Sequence, residues 1–219
     1  MEDCQFKHPF TCLIAGPTGS GKTILVRRVL KQWEATFCRL KAENLNVLWC
    51  HGQSQSLHNV PIGPDVKTCY FEGLPDEQAI KDSPPHVIII DDLMNEVGKN
   101  REIANLFTKG SHHMRISIIF IVQNIFQQSP IMRTLSLNSH YIILLKNPWD
   151  KTQCRTLAMQ LYPGNRRLFL EAYEDATARP FGYIRVDLTP DTREDLRIQT
   201  HITPEESRDK LSPTVYFPV

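Results

Sequence analysis

No apolar run in the chain approaches the ~18 residues that a membrane span requires. Its first residues are polar and acidic, where a secretory leader would be basic and then apolar. Nothing here predicts a membrane partner. A C-x-x-C pair is also missing. The six cysteines, Cys4, Cys12, Cys38, Cys50, Cys69 and Cys154, are scattered, and Cys12 and Cys50 fall inside apolar runs, where free thiols are common. That usage predicts a reduced, intracellular chain. His112-His113 has no cysteine or acidic residue at metal-ligand spacing, which argues against a zinc site. Charge of one sign is lacking too. A net charge of +1 and a pI near 7.7 exert no global pull on nucleic acid, so any DNA contact must come from a local patch. There are no internal repeats and no low-complexity blocks. What is present is 219 residues with 41% hydrophobic content, enough to bury the core of one α/β domain.

One stretch organises the rest. Gly16-Pro17-Thr18-Gly19-Ser20-Gly21-Lys22-Thr23 fits G-x-x-x-x-G-K-[ST], the Walker A pattern, at every fixed position. An apolar run from Phe10 to Ala15 precedes it as a short buried strand. Ile24, Leu25, Val26, Val29 and Leu30 follow at helical spacing, predicting a helix from about Thr23 to Phe37. Strand, glycine loop and helix form the context that a phosphate loop requires. Consecutive backbone N–H groups can turn inward on an anion, and the helix adds the positive end of its dipole. Lys22 would reach the β- and γ-phosphates, and the Thr23 hydroxyl would ligate Mg²⁺. These residues imply that the chain binds a nucleoside triphosphate.

The second constellation is His86-Val87-Ile88-Ile89-Ile90-Asp91-Asp92. Four branched apolar residues in a row suit a strand buried on both faces of a parallel sheet. Two carboxylates stand at its C-terminal end, where open α/β sheets place ligands. In this Walker B pattern Asp91 would hold the metal through its water shell, and Asp92 would orient or deprotonate the attacking water. Asp92 stands where many ATPases have Glu, so Glu96 is the reserve base. Glu96 also reads as a solvated helix residue, and the usual exposure of glutamate favours that reading. Gln123 directly follows the apolar strand Ile116 to Val122 and would face the γ-phosphate from between the two motifs. Arg115 precedes that strand, at the end away from its own nucleotide, a placement that suits a contact with a neighbour's nucleotide in trans. A plain surface arginine, and a Gln123 that only satisfies buried neighbours, fit the same residues.

Other features narrow the class. Lys146-Asn147-Pro148-Trp149-Asp150 has the wrong order and spacing for a guanine clamp and reads as a loop. A small-molecule kinase rarely needs two adjacent carboxylates ending this strand, whereas hydrolysis does. Further strands are expected at Asn46 to His51, Val66 to Phe71 and Tyr141 to Leu145. A short helix is expected over Asp76 to Lys81, and a longer one over 93 to 110, ended by Gly110. Residues 150 to 178 hold two helix candidates split at Tyr162-Pro163-Gly164. Tyr183 to Leu188 alternates as an edge strand would, and the tail from Thr189 reads as a wrapped arm or a partly disordered one. Strands alternating with helices predict a three-layer α/β domain around a mainly parallel sheet. The expected organisation is a lead-in over 1–9, an ATPase domain over 10–200 and a tail over 201–219.

Taken together, the phosphate loop, the strand ending IIIDD, an Arg before the next strand and a Gln after it resemble the FtsK–HerA ATPases. Within that superfamily the chain is most similar to the genome-packaging ATPases of double-stranded DNA viruses and of Maverick (polinton) virus-like elements. The residues that carry this are LFTKGSHHMRISIIFIVQNIF (106–126), LSLNSHYIILLKNPWDKTQ (135–153) and the later YPG and FGYIRVDL segments. The resemblance spans about residues 10 to 200. It implies a RecA-like P-loop NTPase core and a homo-oligomeric ring that threads double-stranded DNA into a preformed capsid at the expense of ATP. Its partners would be DNA, further copies of itself and capsid or portal-vertex proteins, inside an infected host cell or carried with the virion. By position it assigns Lys22 and Thr23 to phosphate and Mg²⁺, Asp91 to Mg²⁺, Asp92 to the water, Gln123 to sensing and Arg115 to a trans finger. Two rival functions fit the same motifs. One is a DNA pump or helicase unconnected with capsids; the other is a nucleotide-dependent switch or scaffold that turns over slowly and moves nothing.

Overall fold

A computed structural model of the chain describes residues 4–52, 60–75, 77–93, 107, 114–126, 130–207 and 213–217. Its elements are, in order, β1 (Phe6–Lys7), β2 (Thr11–Ala15), α1 (Lys22–Lys31), α2 (Trp33–Thr36), β3 (Phe37–Cys38), β4 (Leu45–His51), β5 (Val66–Glu72), α3 (Glu77–Asp82) and β6 (Val87–Asp91). These are followed by β7 (Ser117–Val122), α4 (Pro130–Leu137), β8 (Tyr141–Leu145), α5 (Thr152–Leu161), α6 (Arg166–Ala176), β9 (Tyr183–Asp187), a 3₁₀ turn (Glu194–Leu196), β10 (Ile198–Thr200) and β11 (Thr214–Tyr216). The helix expected over 93–110 lies almost wholly outside the described residues, and Glu96 with it.

The main sheet runs β11-β10-β9-β8-β2-β7-β6-β4-β5. From β8 to β5 every pairing is parallel, and β9, β10 and β11 extend the sheet antiparallel. Every residue of β2, β6, β7 and β8 is buried. Such strands must be covered on both faces, which is why their sequences are mostly apolar with no polar alternation. On one face lies α1, burying Leu25, Val26, Val29 and Leu30. On the other, Ile80, Met132, Leu157, Phe169 and Tyr173 bring α3, α4, α5 and α6 into one cluster. The result is a three-layer α/β P-loop NTPase fold.

Two sequence readings need correction, and a third, the tail as a wrapped or partly disordered arm, becomes specific. The first helix stops at Lys31, and Gln32 (φ −111°, ψ 32°) breaks it before the single turn of α2. The Thr36 hydroxyl donates to Val29 O across that break at 2.9 Å. Second, β9 is no edge strand: it lies between β8 and β10, and all five of its residues are buried. Its polar members are accommodated by partners distant in sequence for Arg185 and two residues away for Asp187. Arg185 stacks over the Phe6 and Tyr141 rings at 4.7 and 5.3 Å from their centroids and donates to Cys4 O, while Asp187 accepts from Thr189 N and Oγ1. Third, the tail supplies sheet. β10 pairs with β11 from Ile198↔Tyr216 to Thr200↔Thr214, so pairing crosses residue 200, and Phe6 of the lead-in is 1% exposed within the core.

Candidate active site

The parallel strands β2, β7 and β6 end side by side, and the loops leaving their C-terminal ends meet over one cavity of about 430 Å³. Gly16 N donates to Val122 O at 3.3 Å, which fixes the start of the phosphate loop to β7. Ser20 N then donates to Pro17 O at 3.2 Å and turns the chain back toward the sheet. Gly21 stands at φ 97° as the N-terminal cap of α1, and its carbonyl accepts from Leu25 N at 2.9 Å. A Cβ is disfavoured at that φ, and at Gly21 it would also come within 3.1 Å of the Phe181 ring.

Two observations show that the loop fits a polyphosphate. Lys22 Nζ curls over it and donates to Gly16 O at 2.6 Å and Pro17 O at 2.9 Å. Burial lowers its pKa, opposed by the carboxylates of Asp91 and Asp92. A desolvated ammonium held by two neutral carbonyls gains when an anion is placed beside it. Ser20 Oγ, meanwhile, is buried inside the loop with no hydrogen-bond partner. Thr18 and Gly19 leave the crown of the loop exposed.

Across the cavity Asp91 closes β6, 4% exposed, and its Oδ2 accepts from the Thr23 hydroxyl at 3.4 Å. Burial raises the Asp91 pKa, opposed by the Thr23 hydrogen bond and by Lys22. The chain turns sharply at Asp92, where φ is 57°. Asp adopts this left-handed region more readily than most residues, and here it sends the second carboxylate out of the sheet to the cavity wall, exposed. Gln123 continues β7 by one residue and is exposed on the same wall. Its segment is held from behind by Gln153 of α5, whose Oε1 accepts from Ile125 N at 3.0 Å.

The fold thus gathers Gly19, Gly21, Lys22, Thr23, Asp91, Asp92 and Gln123 around one space. Arg115 is not among them. It sits exposed at φ 54°, before β7 and at the opposite end of the sheet. Lys22 is the single cation among the described residues that line the cavity. Lys146–Asp150 is a loop, with Asn147 Oδ1 accepting from the amides of Trp149 and Asp150. One lining residue escaped the sequence reading: Phe181, on the turn into β9, is 66% exposed. An aromatic residue between Pro180 and Gly182, outside any periodic segment, was the available clue.

Phosphate loop, paired carboxylates and the interposed strand β7 define a nucleotide hydrolase. The profile of the ATPase family associated with various cellular activities (AAA) matches residues 12–123, and the chain belongs to that family: it binds ATP and is an ATPase. A sequence search of curated proteins finds no significant match. Among solved structures the chain is similar to B204, the DNA-packaging ATPase of Sulfolobus turreted icosahedral virus. The two are 13% identical with a TM-score of 0.54, covering 97% of this chain and 99% of that one. It is also similar to the genome-packaging NTPase B204 of Sulfolobus turreted icosahedral virus 2 in complex with ATP-gammaS, at 13% identity and a TM-score of 0.51 over 100% of both chains. At such identities the likeness is one of fold.

Proposed function

We propose that the chain is a ring-forming motor of FtsK–HerA type that drives double-stranded DNA into a preformed capsid. The observation that carries this reading is the separation of Arg115 from its own site. The six residues of β7 span roughly 20 Å at ~3.3 Å each, beyond the return of a side chain, and the described lining of the cavity contains no arginine. A second copy that presents its Arg115 edge to this cavity would supply the missing positive charge as the γ-phosphoryl group leaves. The full-length likeness of fold to a DNA-packaging ATPase supports the same reading, as does the middle block of sequence at 106–126.

Within it, Thr23 and Asp91 would hold Mg²⁺, whose charge would offset that of the phosphates. Asp92 positions and deprotonates water, and Gln123 hydrogen-bonds the γ-phosphate and reports its loss to β7. Mixing inactive Arg115→Ala subunits with inactive Lys22→Ala subunits tests the trans arrangement. Mixed assemblies should regain hydrolysis, because an intact loop then meets an intact finger across one interface. Full activity of a strict monomer, or unaltered turnover in Arg115→Ala, rules it out. Duplex DNA should accelerate hydrolysis by the assembled protein; a rate indifferent to DNA would instead identify a switch. Co-sedimentation with the cognate capsid separates packaging from other DNA pumping.

A further inference from the structure

We infer that Phe181 is the platform on which the base of the bound nucleotide stacks. The inference rests on the nucleotide reading of the phosphate loop and adds the residue that recognises the other end of the ligand. Topology supplies the direction. The carboxylates and Gln123 end β6 and β7, on one side of β2, while Phe181 leads into β9, on the other side beyond β8. With strands about 4.8 Å apart, β6 and β9 flank the loop at about 10 Å each. A triphosphate whose terminal phosphate faces Asp91 and Asp92 must therefore send its ribose and base toward β9, past Gly21 and the exposed side chain of Ile24.

There it meets Phe181. Besides the main cavity, this ring borders two smaller ones, of about 110 Å³ against Leu25, Arg28 and Tyr183 and of about 240 Å³ against Lys146 and Trp149. Phe181 is the residue shared by all three. Trp149, although 94% exposed, borders one of them, on the outer side of the loop.

The ring is also held ready. Phe181 has φ 58°, a left-handed conformation that a Cβ-bearing residue adopts only when its surroundings impose it. The imposing element is Gly182. Its N donates to Arg179 O at 3.3 Å, and its O accepts from Lys146 N at 2.8 Å at the end of β8. A Cβ on it would lie 2.3 Å from Ala176 O. The turn is thereby fixed to α6 and β8, and it presents a large apolar ring to solvent beside Gly21 instead of to the core. A flat apolar surface fixed beside the loop suits the π-face of a nucleobase.

Calorimetric titration of ATP and of inorganic tripolyphosphate into wild type, Phe181→Ala and Phe181→Trp separates base from phosphate recognition. Phe181→Ala should weaken ATP about tenfold, the loss expected for one base–aromatic stack. It should leave tripolyphosphate within about twofold, and Phe181→Trp should restore ATP affinity. An equal loss for both ligands, or undiminished ATP affinity in Phe181→Ala, overturns the proposal. Failure of wild type to bind either ligand would overturn it together with the loop reading beneath it.

Discussion

At the C-terminal end of the parallel strands the polar groups are held lightly. Lys22 is shared between two loop carbonyls, Ser20 Oγ has no partner, and Asp92 and Gln123 face solvent. At the opposite end they are committed to one another. His8 Nδ1 meets Ser117 Oγ at 2.7 Å, Phe10 N donates to the same hydroxyl, and Thr11 N donates to His140 Nδ1 at 3.0 Å. Lys7 N donates to Tyr141 Oη, while its ammonium is held by Asp191 and Thr192. One set of polar residues is available to exchange its partners for a ligand's; the other ties the lead-in and the tail to the sheet. Substitutions at the first end should therefore cost activity with little stability, and those at the second the reverse.

The largest effect expected is that of Lys22→Ala. Hydrolysis should fall at least about 100-fold, as when a fixed transition-state donor is removed. The thermal midpoint should move by less than about 2 °C, since the hydrogen bonds of the Lys22 ammonium go to loop carbonyls alone among the described residues. Wild-type turnover in a folded Lys22→Ala protein would break the comparison at its root. Asp92→Asn comes next: a loss of about 10²–10⁴ in turnover with ATP still bound, the range for a missing general base, read by single-turnover assay beside equilibrium binding. Asp91→Asn should fail differently, losing metal-dependent affinity. It also has a pH signature. Because burial raises the Asp91 pKa, the folded chain holds this proton more tightly than the unfolded one. Stability of the ligand-free protein should then fall as pH rises from the ordinary carboxylate range through the raised value. Asp91→Asn should remove that fall in denaturant titrations.

The committed end sharpens the contrast with smaller effects of opposite kind. Ser117→Val removes the group that joins His8 to Phe10 and should cost about 1–3 kcal/mol of stability, with ATP affinity unchanged. His8 should make that end sensitive to acid. Burial, then the neighbouring His86, lowers its pKa from 6.5 to about 4. The neutral ring is the native form, and the stability it contributes is complete above pH 6.5 and lost as pH falls toward 4. Unfolding free energies across this interval should flatten in His8→Gln. Away from that end, Arg28→Met, at the small cavity beside Phe181, should do least. Arg28 reaches Glu206 at 2.6 Å, but it is partly exposed, and Glu206 keeps Tyr183 and Thr203 as donors. A change below about 1 kcal/mol is expected for such a pair.

The contrast also explains what the sequence made legible. β2, β6, β7 and β8 are buried on both faces, so their composition alone announces them, and the motif residues follow directly from where those strands stop. Arg185 and Asp187 left β9 legible as a strand but concealed its place inside the sheet. An alternating strand ordinarily has a wet face, and only the Phe6 and Tyr141 rings, far away in sequence, make that face dry. The tail was hidden for a related reason. β10 and β11 are three residues each, too short to show a period, and they are defined by pairing, β10 with β9 and β11 with β10. Phe181 belongs to neither pattern; its significance lies in being exposed beside the loop.

The register of β2, β7 and β6 turns the sheet into a ruler. Ala15 stands opposite Val122, and Asp91 opposite Ile121, so Gly16 and Gln123 leave the sheet on the same rung and Asp92 leaves one rung earlier. One residue inserted in β7 would shift Gln123 by about 3.3 Å and turn its side chain to the opposite face. Apart from the phosphate loop, whose spacing the motif fixes, the connections beyond the strand ends carry no such count. Over generations such a chain is free to change the length of its other loops at little cost, while its three motif-bearing strands must keep theirs. Length variation among descendants should therefore accumulate between the strands and spare them.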